Sequence, residues 1–102
     1  MPISEIRKFI AESRYRFTSH AIQKMVEREI SRSEIEETIL NGEIIEEYAQ
    51  DKYSPSCLVF GKTLQGKPVH VVCSLPPTVW IITAYEPDDK EWIGFKIRRE
   101  VR

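Results

Sequence analysis

Cysteine is sparse in this chain of 102 residues, which has only Cys57 and Cys73. Two thiols are too few for the disulfide framework of a small secreted domain, and they lack the short ligand spacing of a zinc site. Free thiols are expected. Glycine is thin as well, four in all, and none belongs to a Gly-rich phosphate loop. A nucleophile elbow and an HExxH helix are also missing, which disfavours nucleotide-fuelled and serine chemistry. No apolar run approaches the roughly 18 to 20 residues of a membrane span, and the N-terminal stretch mixes charge with single apolar positions rather than forming a signal peptide. A soluble, cytoplasmic protein with no membrane partner is expected. Net charge is only -1, so there is no global positive field to draw in a polyanion. The length leaves no room for a separate cofactor domain, so a single domain over residues 1–102 with no cofactor is expected.

What is present is a globular balance, 41% hydrophobic and 30% charged, enough for one core. Charge is unevenly placed. Residues 1–28 carry Arg7, Lys8, Arg14, Arg16, Lys24 and Arg28 against Glu5, Glu12 and Glu27. Residues 29–51 reverse this, with Glu29, Glu34, Glu36, Glu37, Glu43, Glu46, Glu47 and Asp51 against Arg32 alone. The tail returns Lys96, Arg98, Arg99 and Arg102 for Glu100. Such polarity points to a patch, or to solvated faces that average out.

Ile3, Ile6, Phe9 and Ile10 form the stripe of a helix over about residues 4–12, with Ser4 as its cap. Residues 14–17 read as a brief extended segment. Thr18 or Ser19 caps a second helix whose buried face is Ile22, Met25, Val26 and Glu29 or Ile30, and Ser31 with Glu34 makes a capping box for a third. Ile35, Ile39 and Leu40 point inward from that helix, and Asn41-Gly42 supplies a left-handed cap. Strands follow at 44–50, 57–64, 69–75 and 79–85, joined by Gln65-Gly66-Lys67-Pro68 and by Pro76-Pro77. The expected fold is α+β, with N-terminal helices packed on a four-stranded antiparallel sheet. Trp92, Ile93, Phe95 and Ile97 pack the tail back on that sheet.

His20, Lys24 and Arg28 recur every four residues and form one helical stripe opposite Ile22, Met25 and Val26. Such a row can set an acid or base and two cations along a phosphodiester, where charge builds on the phosphorane oxygens, and needs no metal. The alternative is a solvated face on which Glu27 screens its neighbours. His70 lies mid-strand, on the face of Val72 and Ser74, and must be hydrogen-bonded or useful. An imidazole with an ordinary pKa of about 6.5 suits proton transfer. Tyr85 ends the fourth strand, where a phenol reaches a ligand or simply packs beside Pro87. A three-residue loop at 64–66 sets Cys57 directly opposite Cys73. His70 has the wrong parity to join them and His20 around zinc.

Several blocks together resemble the small-protein family known as domain of unknown function 4258. They are His20-Ala21, Lys24-Met25 with Glu27-Arg28 and Ile30, Ser31 to Glu37, Gly42-Glu43 with Tyr48, residues 66–72, and Ile82-Thr83-Ala84-Tyr85-Glu86-Pro87. The resemblance spans about residues 15–88. It implies kinship with RelE/ParE and BrnT-like toxins: a RelE/BrnT-like fold and a metal-independent RNA endonuclease of mRNA interferase type. It also implies a type II toxin-antitoxin setting, with RNA or the ribosome and an antitoxin protein as partners. On that implication His20 or His70 takes a proton from a ribose 2′-hydroxyl, Lys24 and Arg28 stabilise the phosphorane, and Tyr85 orients substrate. The chain departs from the family's usual arginine at Lys24 and usual glycine at Glu29. The competing expectation is a non-catalytic protein-binding module that retains the toxin-like fold, motivated by the acidic 29–51 stretch.

Overall fold

A computed structural model describes residues 3–50 and 54–99; Asp51, Glu100 and Arg102, counted in the charge blocks above, lie outside the described residues. In chain order the elements are α1 (Ile3–Ala11), β1 (Arg16–Phe17), α2 (Ser19–Arg28), α3 (Arg32–Asn41), β2 (Glu43–Tyr48), β3 (Ser56–Lys62), β4 (Pro68–Ser74), β5 (Trp80–Tyr85), β6 (Trp92–Ile93) and β7 (Ile97–Arg98). The class is α+β, but the sheet is five-stranded and mixed, in the order β1-β5-β4-β3-β2. β2 to β5 form the expected antiparallel meander. The fifth strand is the two-residue β1, which adds parallel to β5 through Arg16 and Phe17.

Local chemistry explains the helix starts. Thr18 accepts the Ala21 N–H at 3.0 Å and caps α2. Ser31 and Glu34 bond reciprocally at 2.9 and 3.1 Å, completing the capping box of α3. Ser4 is not a cap, because α1 already includes Ile3. Arg7 of α1 donates to the carbonyls of Ile39 and Gly42, placing a cation on the orphan acceptors at the C-terminus of α3. Gly42 is extended (φ -101°, ψ -172°) rather than left-handed. A side chain there is excluded instead by the Thr38 and Phe60 carbonyls.

The left-handed residue at the α2–α3 corner is Glu29, φ 55° and ψ 45°. That is the conformation glycine adopts without a Cβ penalty. Glu29→Gly is therefore expected to stabilise the fold by about 0.5–1 kcal/mol, the αL strain removed less the entropy of a new glycine, or roughly 2–8 °C in Tm. Calorimetry on the two proteins checks this; an unchanged or lower Tm contradicts it.

All three helices pack on one sheet face. Ile6, Ile10, Ala21, Ile30, Ile35 and Ile39 meet Cys57, Val59, Val69, Val71, Cys73, Ile81 and Ala84 in one core. The expected inward face of α2 is corrected. Ile22 is 53% and Val26 76% exposed, while Ala21 is buried and Met25 packs against the core. The rotation is fixed at the start of the helix, where Thr18 donates its N–H to Ile81 O at 3.0 Å and its hydroxyl to Ile82 O at 3.2 Å. This turns the small Ala21 to the sheet and Ile22 out. Leu40 is also exposed.

The opposite face is covered in part by the β6–β7 hairpin. Trp92 is buried and Phe95 half-buried, but Ile93 and Ile97 pair across the hairpin and point to solvent. Period-two alternation puts Trp92 in and so Ile93 out. Cys57 and Cys73 are register partners, Sγ to Sγ 3.9 Å, buried as free thiols. Its hydrogen bond to Cys57 and burial push the Cys73 thiol up. No helix among the described residues is long and apolar enough to cross a membrane.

Candidate functional site

The five candidate side chains fall into two groups beside β5. His20, in the first turn of α2, is exposed and lines an open concavity of about 770 Å³ with Phe17, Ser19, Trp80 and Ile82. At about 1.5 Å rise per residue, Lys24 and Arg28 follow at roughly 6 Å intervals. His20 and Arg28 therefore stand roughly 12 Å apart along the helix. A row of that length spans more than one phosphate-sized anion and cannot close on a single one.

Each cation in the row also has an internal partner. Lys24 pairs with Glu27 at 3.1 Å, the screening contact expected for a solvated face. Arg28 donates to Ala84 O at 2.8 Å and lies 3.5 Å from the Thr83 hydroxyl. Arg28 thus closes the outer edge of β5 beyond the point where β1 and Thr18 pair with it. Unpaired strand edges invite other chains, and a guanidinium on the last carbonyl blunts this one. A guanidinium has five donors, so one carbonyl leaves others for an anion.

His70 and Tyr85 are register partners on the sheet face away from the helices. His70 is fully buried. Its Nε2 lies 2.6 Å from Phe95 O and its Nδ1 3.3 Å from the Tyr85 hydroxyl. A carbonyl only accepts, so Nε2 carries the proton and donates to Phe95, and Nδ1 accepts from Tyr85. Trp92, Phe60 and Tyr85 surround the ring edge-to-face, with centroids 4.5, 5.8 and 5.3 Å away. Burial pushes the imidazole below its ordinary pKa, partly offset by the Phe95 carbonyl. Burial pushes the Tyr85 phenol up, against the weaker pull of the Arg98 and Arg28 guanidiniums. His70 is therefore a neutral, satisfied imidazole that fastens the C-terminal hairpin and is sealed from solvent beneath it.

The sign of its pH effect follows. Above about pH 6.5 the imidazole is neutral in both the folded and the unfolded chain. As pH falls from there toward the lowered folded value, the unfolded chain gains a proton that the folded chain refuses, and stability drops. The gap in urea midpoint between wild type and His70→Phe should accordingly narrow from pH 7.5 to 5.5. A gap that stays constant contradicts the buried neutral imidazole.

Acidic side chains hold this hairpin and the β3–β4 loop. Glu46 takes Arg98 at 3.0 and 3.3 Å and the Tyr48 hydroxyl at 2.6 Å, and Arg98 lies over the Trp92 ring. Burial raises the Glu46 carboxyl, but the Arg98 and Tyr48 hydrogen bonds outweigh it and leave it below the usual range. Glu43 pairs with Lys96, Glu34 with Lys67 and Glu36 with Arg32, and Glu37 accepts the Leu64 N–H. Much of the acidic stretch is thus committed within the fold. His70 and the two cysteines lie on opposite sheet faces, so they form no common ligand sphere.

Trp80 carries no sequence signal beyond its parity with Ser74 across the Pro76-Pro77 turn, yet it shares the concavity with His20. The Glu46–Arg98 clamp spans 52 positions and follows no local pattern.

Residues 17–86 match the model of a family described as Domain of unknown function (DUF4258). The match runs from β1 to the end of β5, so it includes all five candidate side chains and excludes α1 and the β6–β7 hairpin. No curated protein and no solved structure matches the chain.

Proposed function

The chain belongs to the domain of unknown function family DUF4258, and from that premise we propose that it is a metal-independent RNA endonuclease of the RelE/ParE and BrnT-like toxin group. Its partner in this reading is an antitoxin protein in the cytoplasm. The observation that carries the reading is His20, which stands exposed on the rim of an aromatic-lined concavity at the head of a row of two cations.

His20 takes the proton from a ribose 2′-hydroxyl. The 2′-oxygen then bonds to phosphorus, the bond from phosphorus to the 5′-oxygen breaks, and the leaving oxygen gains a proton from solvent. Lys24, one turn on from His20, holds the charge that accumulates on the non-bridging oxygens, and Arg28, roughly 12 Å from His20, holds a neighbouring phosphate. Tyr85, with its proton turned toward His70, keeps oxygen lone pairs for substrate, and His70 acts as its positioning residue.

The test is RNA, with and without ribosomes, incubated with purified protein and with a His20→Ala/Arg28→Ala variant. Cleavage by the wild type that the double variant loses supports the reading. Intact RNA, or equal cleavage by both proteins, removes it.

A second reading, a non-catalytic module that docks a protein partner, is favoured by the exposed ridge of Ile22 and Val26 on α2 and by the sealed His70. The acidic stretch lends it less support, because Glu34, Glu36, Glu37, Glu43 and Glu46 are occupied internally. Capture of one protein partner without growth inhibition on expression favours this module.

A further inference from the structure

We infer that the concavity between the start of α2 and β5 is a subsite for one unstacked base of a single-stranded RNA, with Trp80 as its stacking platform. The inference rests on the RNA reading above but concerns binding, not cleavage.

Its lining comes first. Trp80, Phe17 and Ile82 supply flat and apolar surface. Two of the hydroxyls around it are already committed: Ser74 donates to Thr78 O and accepts the backbone N–H of Trp80, and Thr18 is held between Ile82 O and the backbone N–H of Ala21. The polar groups left for a ligand are His20, Ser19 and Ser54 at the margin. A pocket with mostly apolar walls and a few polar groups suits a planar, partly polar ring. About 770 Å³ admits a base with its sugar but no duplex.

Charge then selects the occupant. Within α2 the only acid is Glu27, already paired with Lys24, and the helix carries His20, Lys24 and Arg28 along one flank. A base seated against Trp80 leaves its phosphates leading away past the next two positions of that row, at roughly 6 Å spacing. Aromatic platforms beside cationic tracks are how single strands are held without reading a duplex groove. A peptide would satisfy the apolar wall and leave the row unmatched, and a free nucleotide would use only its first position.

The experiment uses the full chain and a fluorescein-labelled 2′-O-methyl RNA hexamer, which cannot be cut because it lacks the attacking hydroxyl. Anisotropy gives its affinity, and tryptophan emission is followed with the unlabelled hexamer. Of the two tryptophans, Trp92 is buried and Trp80 is partly exposed, so quenching should survive Trp92→Phe and vanish in Trp80→Phe. Trp80→Ala should weaken binding about 5- to 150-fold, and Trp80→Phe much less, since it keeps a ring. A mononucleotide should bind more weakly than the hexamer, and a duplex should not compete. Saturated binding without Trp80 quenching, or equal affinity in a folded Trp80→Ala protein, overturns the subsite. Quenching by the hexamer without cleavage of unmodified RNA keeps the subsite and removes the nuclease. Cleavage indifferent to Trp80 does the reverse.

Discussion

Gly61→Ala is expected to cost about 3 kcal/mol, the upper part of the range for overpacking a well-filled site. Gly61 lies in β3 where the last turns of α3 cross the sheet. A methyl group there would run into the Thr38 carbonyl oxygen and come within 3.1 Å of the Gly42 Cα. Both obstacles are backbone, which cannot rotate aside as a side chain can. Gly42 meets the same carbonyl, so helix and sheet touch through two residues without side chains. Moving α3 away would also strain Arg7 on the Ile39 and Gly42 carbonyls. Urea unfolding of Gly61→Ala beside the exposed neighbour Lys62→Ala checks the size. A loss near the 0.5 kcal/mol typical of surface changes in both would show that the contact is soft.

His20→Ala is expected to reduce RNA cleavage by about 10²- to 10⁴-fold, the usual contribution of a positioned acid or base, with Tm nearly unchanged. The side chain is exposed and lies outside the core, so its removal takes away chemistry and little packing. Arg28→Ala should behave differently. It removes the proposed phosphate contact and also the donor on Ala84 O, so activity and Tm should fall together. Lys24→Ala should lower kcat less than His20→Ala does, since its charge is already shared with Glu27. Steady-state kinetics with melting curves on the three variants separate these patterns. A His20→Ala protein that cleaves at the wild-type rate removes the imidazole from the mechanism.

The parts of this fold readable from the sequence are those decided over a few residues. Thr18, Ser31 and Glu34 announce the helix starts because their side chains take the orphan N–H groups of their own first turns. The alternation around Val69 to Ser74 set the parity of His70, and the 64–66 loop set Cys57 against Cys73. Longer-range competition decided the rest. Ile22 and Val26 suggest an inward stripe, but the bonds from Thr18 to β5 rotate α2 and choose Ala21 instead. The segment at 14–17 is legible as extended and holds β1, but its parallel pairing is not, because it exists only where β5 offers the Val79 and Ile81 carbonyls to Arg16 and Thr18. For the candidate site, spacing gave the His20–Lys24–Arg28 row. It did not give the use of Arg28 on the β5 edge, or the seal on His70 by Phe95, a contact 25 positions away.

The most direct measurement is the chemistry of the RNA ends left by the purified wild-type chain in excess EDTA. Attack by a 2′-hydroxyl, with His20 as proton acceptor, leaves a 2′,3′-cyclic phosphate or its 3′-phosphate on one fragment and a 5′-hydroxyl on the other. Intact RNA, or fragments ending in 3′-hydroxyl and 5′-phosphate, would contradict it.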